Sequence, residues 1–165
     1  MGSRVVSMLF RFLLRDSFIF AAALGLWWLL AARSAGEGMV ADFAGWTTGL
    51  MLGVCAYLAH EWSHYLGAIA MGSTVRTGEN LASGFLFSFD AEANTLASFV
   101  VMSLAGFVAT AAVVFAYYTF LPDAYLASRV ARGGALFLAF LGIVLELPLL
   151  LAGVFTRSVP RQVAV

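Results

Sequence analysis

The stretch GWTTGLMLGVCAYLAHEWSHYLGAIAM, running from Gly45 to Met71, holds one acid, Glu61, no Arg or Lys, and two histidines four residues apart. It is long and apolar enough to cross the roughly 30 Å hydrocarbon core of a bilayer as a helix. Residues four apart on a helix share a face, separated by about 6 Å along the axis. The run therefore reads as a membrane span that presents His60 and His64 side by side.

Three further apolar runs extend the pattern: Ser17–Ala32, Thr95–Phe120 and Gly134–Phe155. With 62% hydrophobic and 11% charged residues and a mean hydropathy of +0.95, a soluble domain of this length could not hide its apolar surface. The excess must face lipid. The expected architecture is an all-α integral membrane domain over residues 1–165, with about four transmembrane helices near 17–32, 45–71, 95–120 and 134–155. Zero formal charge gives no reason to expect a nucleic-acid partner. Cys55, the only cysteine, excludes an internal disulfide.

Arg4, Arg11 and Arg15 precede the first span, whereas Glu37 and Asp42 follow it; Arg157 and Arg161 follow the last. The positive-inside rule then predicts cytoplasmic N- and C-termini, as in a multi-pass bacterial inner-membrane protein, with Arg129 and Arg132 in an outer loop. The Ala31–Ala35 segment is a poor signal-cleavage site, so the first span is expected to be retained. Between the second and third spans, Gly84–Phe89 places Phe85, Phe87 and Phe89 on alternate positions, the period of a strand. Ser73–Arg76 is a candidate partner, so a small β-type or re-entrant element is expected here; an aromatic interfacial loop is the alternative.

The chemistry concentrates in His60-Glu61-Trp62-Ser63-His64. Two imidazoles on one helical face can hold a Zn²⁺ ion, and the carboxylate beside them can act as general base towards water the ion activates. The chain's only two histidines both lie in this motif. Chance assembly of such a set has a probability on the order of one in a thousand. Ionisable side chains at membrane depth are costly and usually functional. The face that bears them continues through Ala56, Gly53 and Gly49 in one direction and Ala68 in the other. Small residues at this spacing let helices approach closely, so the histidines should face the bundle interior.

A zinc site needs a third protein ligand. Glu146, the lone acid of the fourth span, shares a helical face with Ala135, Ala139, Gly142 and Gly153 and could complete a His₂Glu set. A protonated Glu hydrogen-bonded to a neighbouring helix is the structural alternative for that residue. Asp90 and Glu92 are alternative ligands at the interface. A pigment- or haem-binding subunit, or a structural subunit of a larger membrane complex, is the competing class: Ala56 four residues before His60 leaves room for a macrocycle. Glu61 argues against it, because a pigment site needs no carboxylate in the motif.

The residues resemble the site-two protease family of intramembrane zinc metalloproteases. The resemblance rests on HExxHxxxA, here His60 through Ala68, then a small β-type element, a helix with Ser103-Leu104-Ala105-Gly106 and a last helix bearing an acid, over roughly residues 45–155. It implies His60 and His64 as zinc ligands, Glu61 as base, Glu146 in place of the family's aspartate, and a membrane-protein or peptide substrate presented along the Phe85–Phe89 strand. Ser63 and Phe107 stand where the family prefers Gly and Pro, and the final helix has neither the Asn nor the Asp-Gly pair.

Overall fold

The computed structural model describes residues 2–78, 80–82 and 84–160, with side chains from Met8 onward. Helix α1 (Gly2–Leu30) tightens into a 3₁₀ turn at Ala31–Ala35, and α2 covers Met39–Ala70. A two-stranded antiparallel hairpin follows, β1 (Val75–Thr77) with β2 (Phe87–Phe89). Then come α3 (Leu96–Phe120), α4 (Leu126–Leu141), a wide π turn at Gly142–Glu146, and α5 (Leu147–Thr156). Among the described residues, four segments are long and apolar enough to cross a membrane: Met8–Ala35, Met39–Ala70, Leu96–Phe120 and Leu126–Thr156. The all-α membrane architecture with a small β element between the second and third spans is therefore as expected, and it fits a multi-pass membrane protein.

Several boundaries differ from the sequence reading. α1 begins well before Ser17, because nothing in Gly2–Asp16 breaks a helix once it has started and Arg is a good helix former. α2 begins at Met39, behind Gly38, whose φ of 92° supplies the left-handed turn that other residues resist. At its other end Gly72, at φ 66°, closes a Schellman motif: Gly72 N–H donates to Ile69 and Ser73 N–H to Ala68. Arg129 and Arg132 are not in a loop but on α4. Arg132 folds back to cap α3, donating to the Tyr117 carbonyl at 3.1 Å and the Leu121 carbonyl at 2.6 Å, and pairs with Asp123 at 2.5 Å. A guanidinium on the last carbonyls of a helix is favourable there, which is why the chain can keep a charge so close to an apolar run. Arg161, used in the charge-bias argument, lies outside the described residues.

The chain forms two compact units. One contains Asp16–Ala59 and Thr110–Phe140. Within it Ala23, Leu52, Cys55 and Ala131 form the buried core, and α2 and α4 approach closely at glycines. A Cβ on Gly45 would collide with Leu126, and one on Gly49 with Val130 and the Ala127 carbonyl, while Gly53 faces Gly134. The small-residue stripe of the second span does pack helix on helix, as its spacing predicts.

The other unit comprises Met1–Arg15, His60–Ala109 and Leu141–Val165. Its core joins Ala68, Phe89, Phe99, Met102 and Leu150, with a second cluster of Phe12, Tyr65 and Leu86. Gly67 lets α2 lie against Ala105 and the α3 backbone. The hairpin pairs Val75 with Phe89 and Thr77 with Phe87, so alternation in β2 turns Phe87 and Phe89 to one face and Ser88 to the other. Arg15 donates to the Leu81 carbonyl at 2.6 Å and lies over the Phe12 ring, tying the middle of α1 to the loop between the two strands.

Candidate metal centre

Three side chains from two elements of this second unit converge. His60 and His64 come from α2, and Glu146 from the last position of the π turn. Their ligand atoms all lie within 4.8 Å of one another. His60 Nε2 stands 2.9 Å from His64 Nε2 and 3.0 Å from Glu146 Oε1, and His64 Nε2 lies 3.3 Å from Glu146 Oε2. The rings meet edge to face, 84° apart with centroids separated by 4.3 Å. His60 is buried and Glu146 is about one third exposed, at 33% of its side chain.

The other ring nitrogens fix the chemistry. His60 Nδ1 is 3.1 Å from the Gly106 carbonyl and His64 Nδ1 is 2.9 Å from the Met102 carbonyl, both on α3. A carbonyl only accepts, so each Nδ1–H donates and each Nε2 is left with a lone pair. With both rings neutral, two lone pairs and a carboxylate face one small volume. Glu146 Oε2 is moreover buried without a hydrogen-bond partner: its approach to His64 is close enough for an ion pair but has no hydrogen-bonding geometry. Such an acceptor cluster repels itself unless a proton or a metal cation sits within it. Ligand atoms about 2 Å from a common zinc in tetrahedral array stand about 3.3 Å apart, near the spacings here. The donor set fits a divalent zinc-like ion. His₂Glu also leaves a fourth position for water or substrate.

The π turn explains how Glu146 comes to be placed there. Pro148 has no N–H, and its ring would press on the carbonyl of Val144 in a regular helix. The chain widens instead, with Leu147 N–H donating to Gly142 O, one residue further back than an α-helix allows. Gly142 is buried, and Phe107 lies 3.2 Å from where a Cβ would be. Glu61, next to His60, is 9% exposed and accepts a hydrogen bond from the backbone N–H of Leu86, just before β2.

A cavity of about 190 Å³ opens beside these groups, its wall including Glu61, His64, Ser103 and Glu146 together with Phe85, Phe87 and Phe89. The three phenylalanines singled out by their alternation thus reach the same space as the motif. Asp90 and Glu92 are elsewhere. Asp90 pairs with Arg76 at 3.1 Å and accepts from the Glu92 and Ala93 amides, a turn-closing role; among the described residues only His60, His64 and Glu146 form a metal-capable group. The sequence reading named Ser103 and Gly106 without a site role, and it missed Met102, which like Gly106 contributes a backbone carbonyl, and Phe99 and Leu149, which line the cavity wall with Ser103. For Gly106 a signal existed in the Ser103-Leu104-Ala105-Gly106 run, and the structure gives its reason: a side chain at Gly106 would run into the His64 ring.

No family model, curated protein or solved structure matches this chain.

Proposed function

We propose that this chain is an intramembrane zinc metalloprotease that hydrolyses peptide bonds of membrane-protein or peptide substrates. The observation that carries the reading is the convergence of His60, His64 and Glu146 within 4.8 Å, with Glu61 on the wall of the same cavity. It agrees with the resemblance to the site-two protease family, with Glu146 in place of the aspartate.

In this reading His60, His64 and Glu146 hold zinc. Bound there, zinc supplies a Lewis acid that lowers the pKa of water towards about 7 and polarises a carbonyl. Glu61 takes a proton on a carboxylate oxygen as water oxygen bonds to the carbonyl carbon. It returns that proton to the leaving amide nitrogen as the C–N bond breaks. The Gly106 and Met102 carbonyls hold both imidazoles in one tautomer and orientation. The Leu86 amide aims the Glu61 carboxylate. A substrate helix shields its own carbonyls by hydrogen bonds, so it must unwind locally, and the Phe85–Phe89 segment is the place for the extended stretch to pair. The basic flanks put both termini in the cytoplasm of a bacterial cell, in its inner membrane.

A pigment site loses support from the same distances, because each Nε2 faces another ligand atom within 3.0 Å rather than a free face. The test is metal analysis with single variants. Purified protein should carry near-stoichiometric zinc, and His60→Ala or His64→Ala should abolish it. Glu61→Gln keeps the zinc and lowers cleavage of a model transmembrane substrate by at least about 100-fold. Zinc-free protein with normal folding would reduce this chain to a non-catalytic subunit.

A further inference from the structure

The geometry points to a second role for the cavity: a side-chain pocket that selects an aromatic residue beside the hydrolysed bond. Its relevance to cleavage rests on the protease reading, but its capacity to bind does not. Six of the wall residues are apolar: Phe85, Phe87, Phe89, Phe99, Met102 and Leu149. Four are rings. Phe89 and Phe99 are already packed against each other, with centroids 6.1 Å apart, and both are 2% exposed. They form a stiff back wall, while Phe85, at 51% exposure, stands at the open side.

Size and chemistry together choose the occupant. An engineered apolar cavity of about 150 Å³ in another protein takes up benzene, so about 190 Å³ has room for a phenyl ring and little more. Ring edges meeting Phe faces, and the Met102 thioether beside them, favour an aromatic guest beyond the area it buries. A lipid acyl chain is the rival occupant. It would turn the polar edges of Glu61, His64, Ser103 and Glu146, which share this wall, towards hydrocarbon. A peptide satisfies both halves at once, its ring in the apolar part and its carbonyl and amide at the polar groups. The pocket therefore assigns substrate class: a Phe- or Tyr-like side chain adjacent to the scissile carbonyl.

The probes are three hydroxamic acids, propano-, octano- and 3-phenylpropanohydroxamic acid. They are titrated into the full chain in detergent micelles, with and without added zinc. Binding is read from ¹³C-methyl methionine NMR, with the Met102 signal assigned through Met102→Leu. The expected result is an upfield ring-current shift of the Met102 methyl with the phenyl compound alone. Its affinity exceeds that of the propano compound by about 10- to 100-fold, the effect of burying one aromatic side chain. Phe85→Ala, an exposed position whose loss leaves the core untouched, removes most of that advantage. A Met102 shift that persists without zinc, joined to failure of all three compounds to bind more tightly with it, would sink the metal reading and leave the pocket standing. Equal affinities, tighter binding of the octano compound, or a Met102 signal that never moves overturn the pocket, whatever zinc does.

Discussion

Gly106 has no side chain, yet it bears on the metal group twice: its carbonyl takes the His60 Nδ1 proton, and its bare Cα makes room for the His64 ring. Gly106→Ala should therefore lower zinc affinity by about 10- to 100-fold, the range seen when a partner behind a ligand is lost. Helix content should hold or rise, since Ala is the better helix former. Competition with a chelating dye measures the first and circular dichroism the second; unchanged affinity would mean that α3 does not set the imidazoles. At this scale the sequence was eloquent about His60, Glu61, His64 and Glu146, because an imidazole or carboxylate in an apolar run announces itself. It was silent about Met102, whose part is played by a carbonyl that every residue possesses. Which carbonyl meets which ring is decided by the crossing of two helices, and no single residue type encodes that.

Among the elements, the hairpin carries its own electrostatic lock. Hydrogen bonds from the Ala93 and Glu92 amides, with Arg76 alongside, hold the Asp90 carboxyl below its ordinary value of 3.8. A lowered pKa in the fold means that the fold favours the charged form. The contribution is thus complete above the ordinary value and vanishes as pH falls through the lowered one. Hydrogen-exchange protection of the Glu92 and Ala93 amides should hold from neutral pH to about 4 and fall below it. Asp90→Ala should show the low-pH behaviour at every pH, and protection indifferent to both changes would remove the lock. Phenylalanines at alternate positions made this strand legible, because period two needs no tertiary context. The π turn was not legible, although Pro148 marked a disturbance nearby. A proline says that a helix must yield, and only the packing of Gly142 against Phe107 decides how. Span ends were misjudged for a similar reason. Arg129 and Arg132 look like loop residues by charge, but Arg132 is neutralised by α3's carbonyls and Asp123.

For the molecule as a whole, the proposed topology has four crossings with both ends in the cytoplasm, the side that the arginine bias favours. With Cys55→Ser as background, an impermeant maleimide applied to intact cells should label Glu37→Cys and spare Ser158→Cys, both exposed positions. The reverse pattern would invert the topology and place Glu37 in the cytoplasm. α2 itself adds a further consequence. At 32 residues it is about 48 Å long, well beyond a hydrocarbon layer of about 30 Å, so it must tilt or protrude. Counting back from Ala70, His64 lies about 9 Å and His60 about 15 Å up the axis. In the proposed topology hydrophobic mismatch would set how far the histidine pair lies from bulk solvent. Reconstitution in myristoyl rather than oleoyl lipids should speed the stripping of zinc by a water-soluble chelator, making membrane thickness a control on the site without any change in the protein.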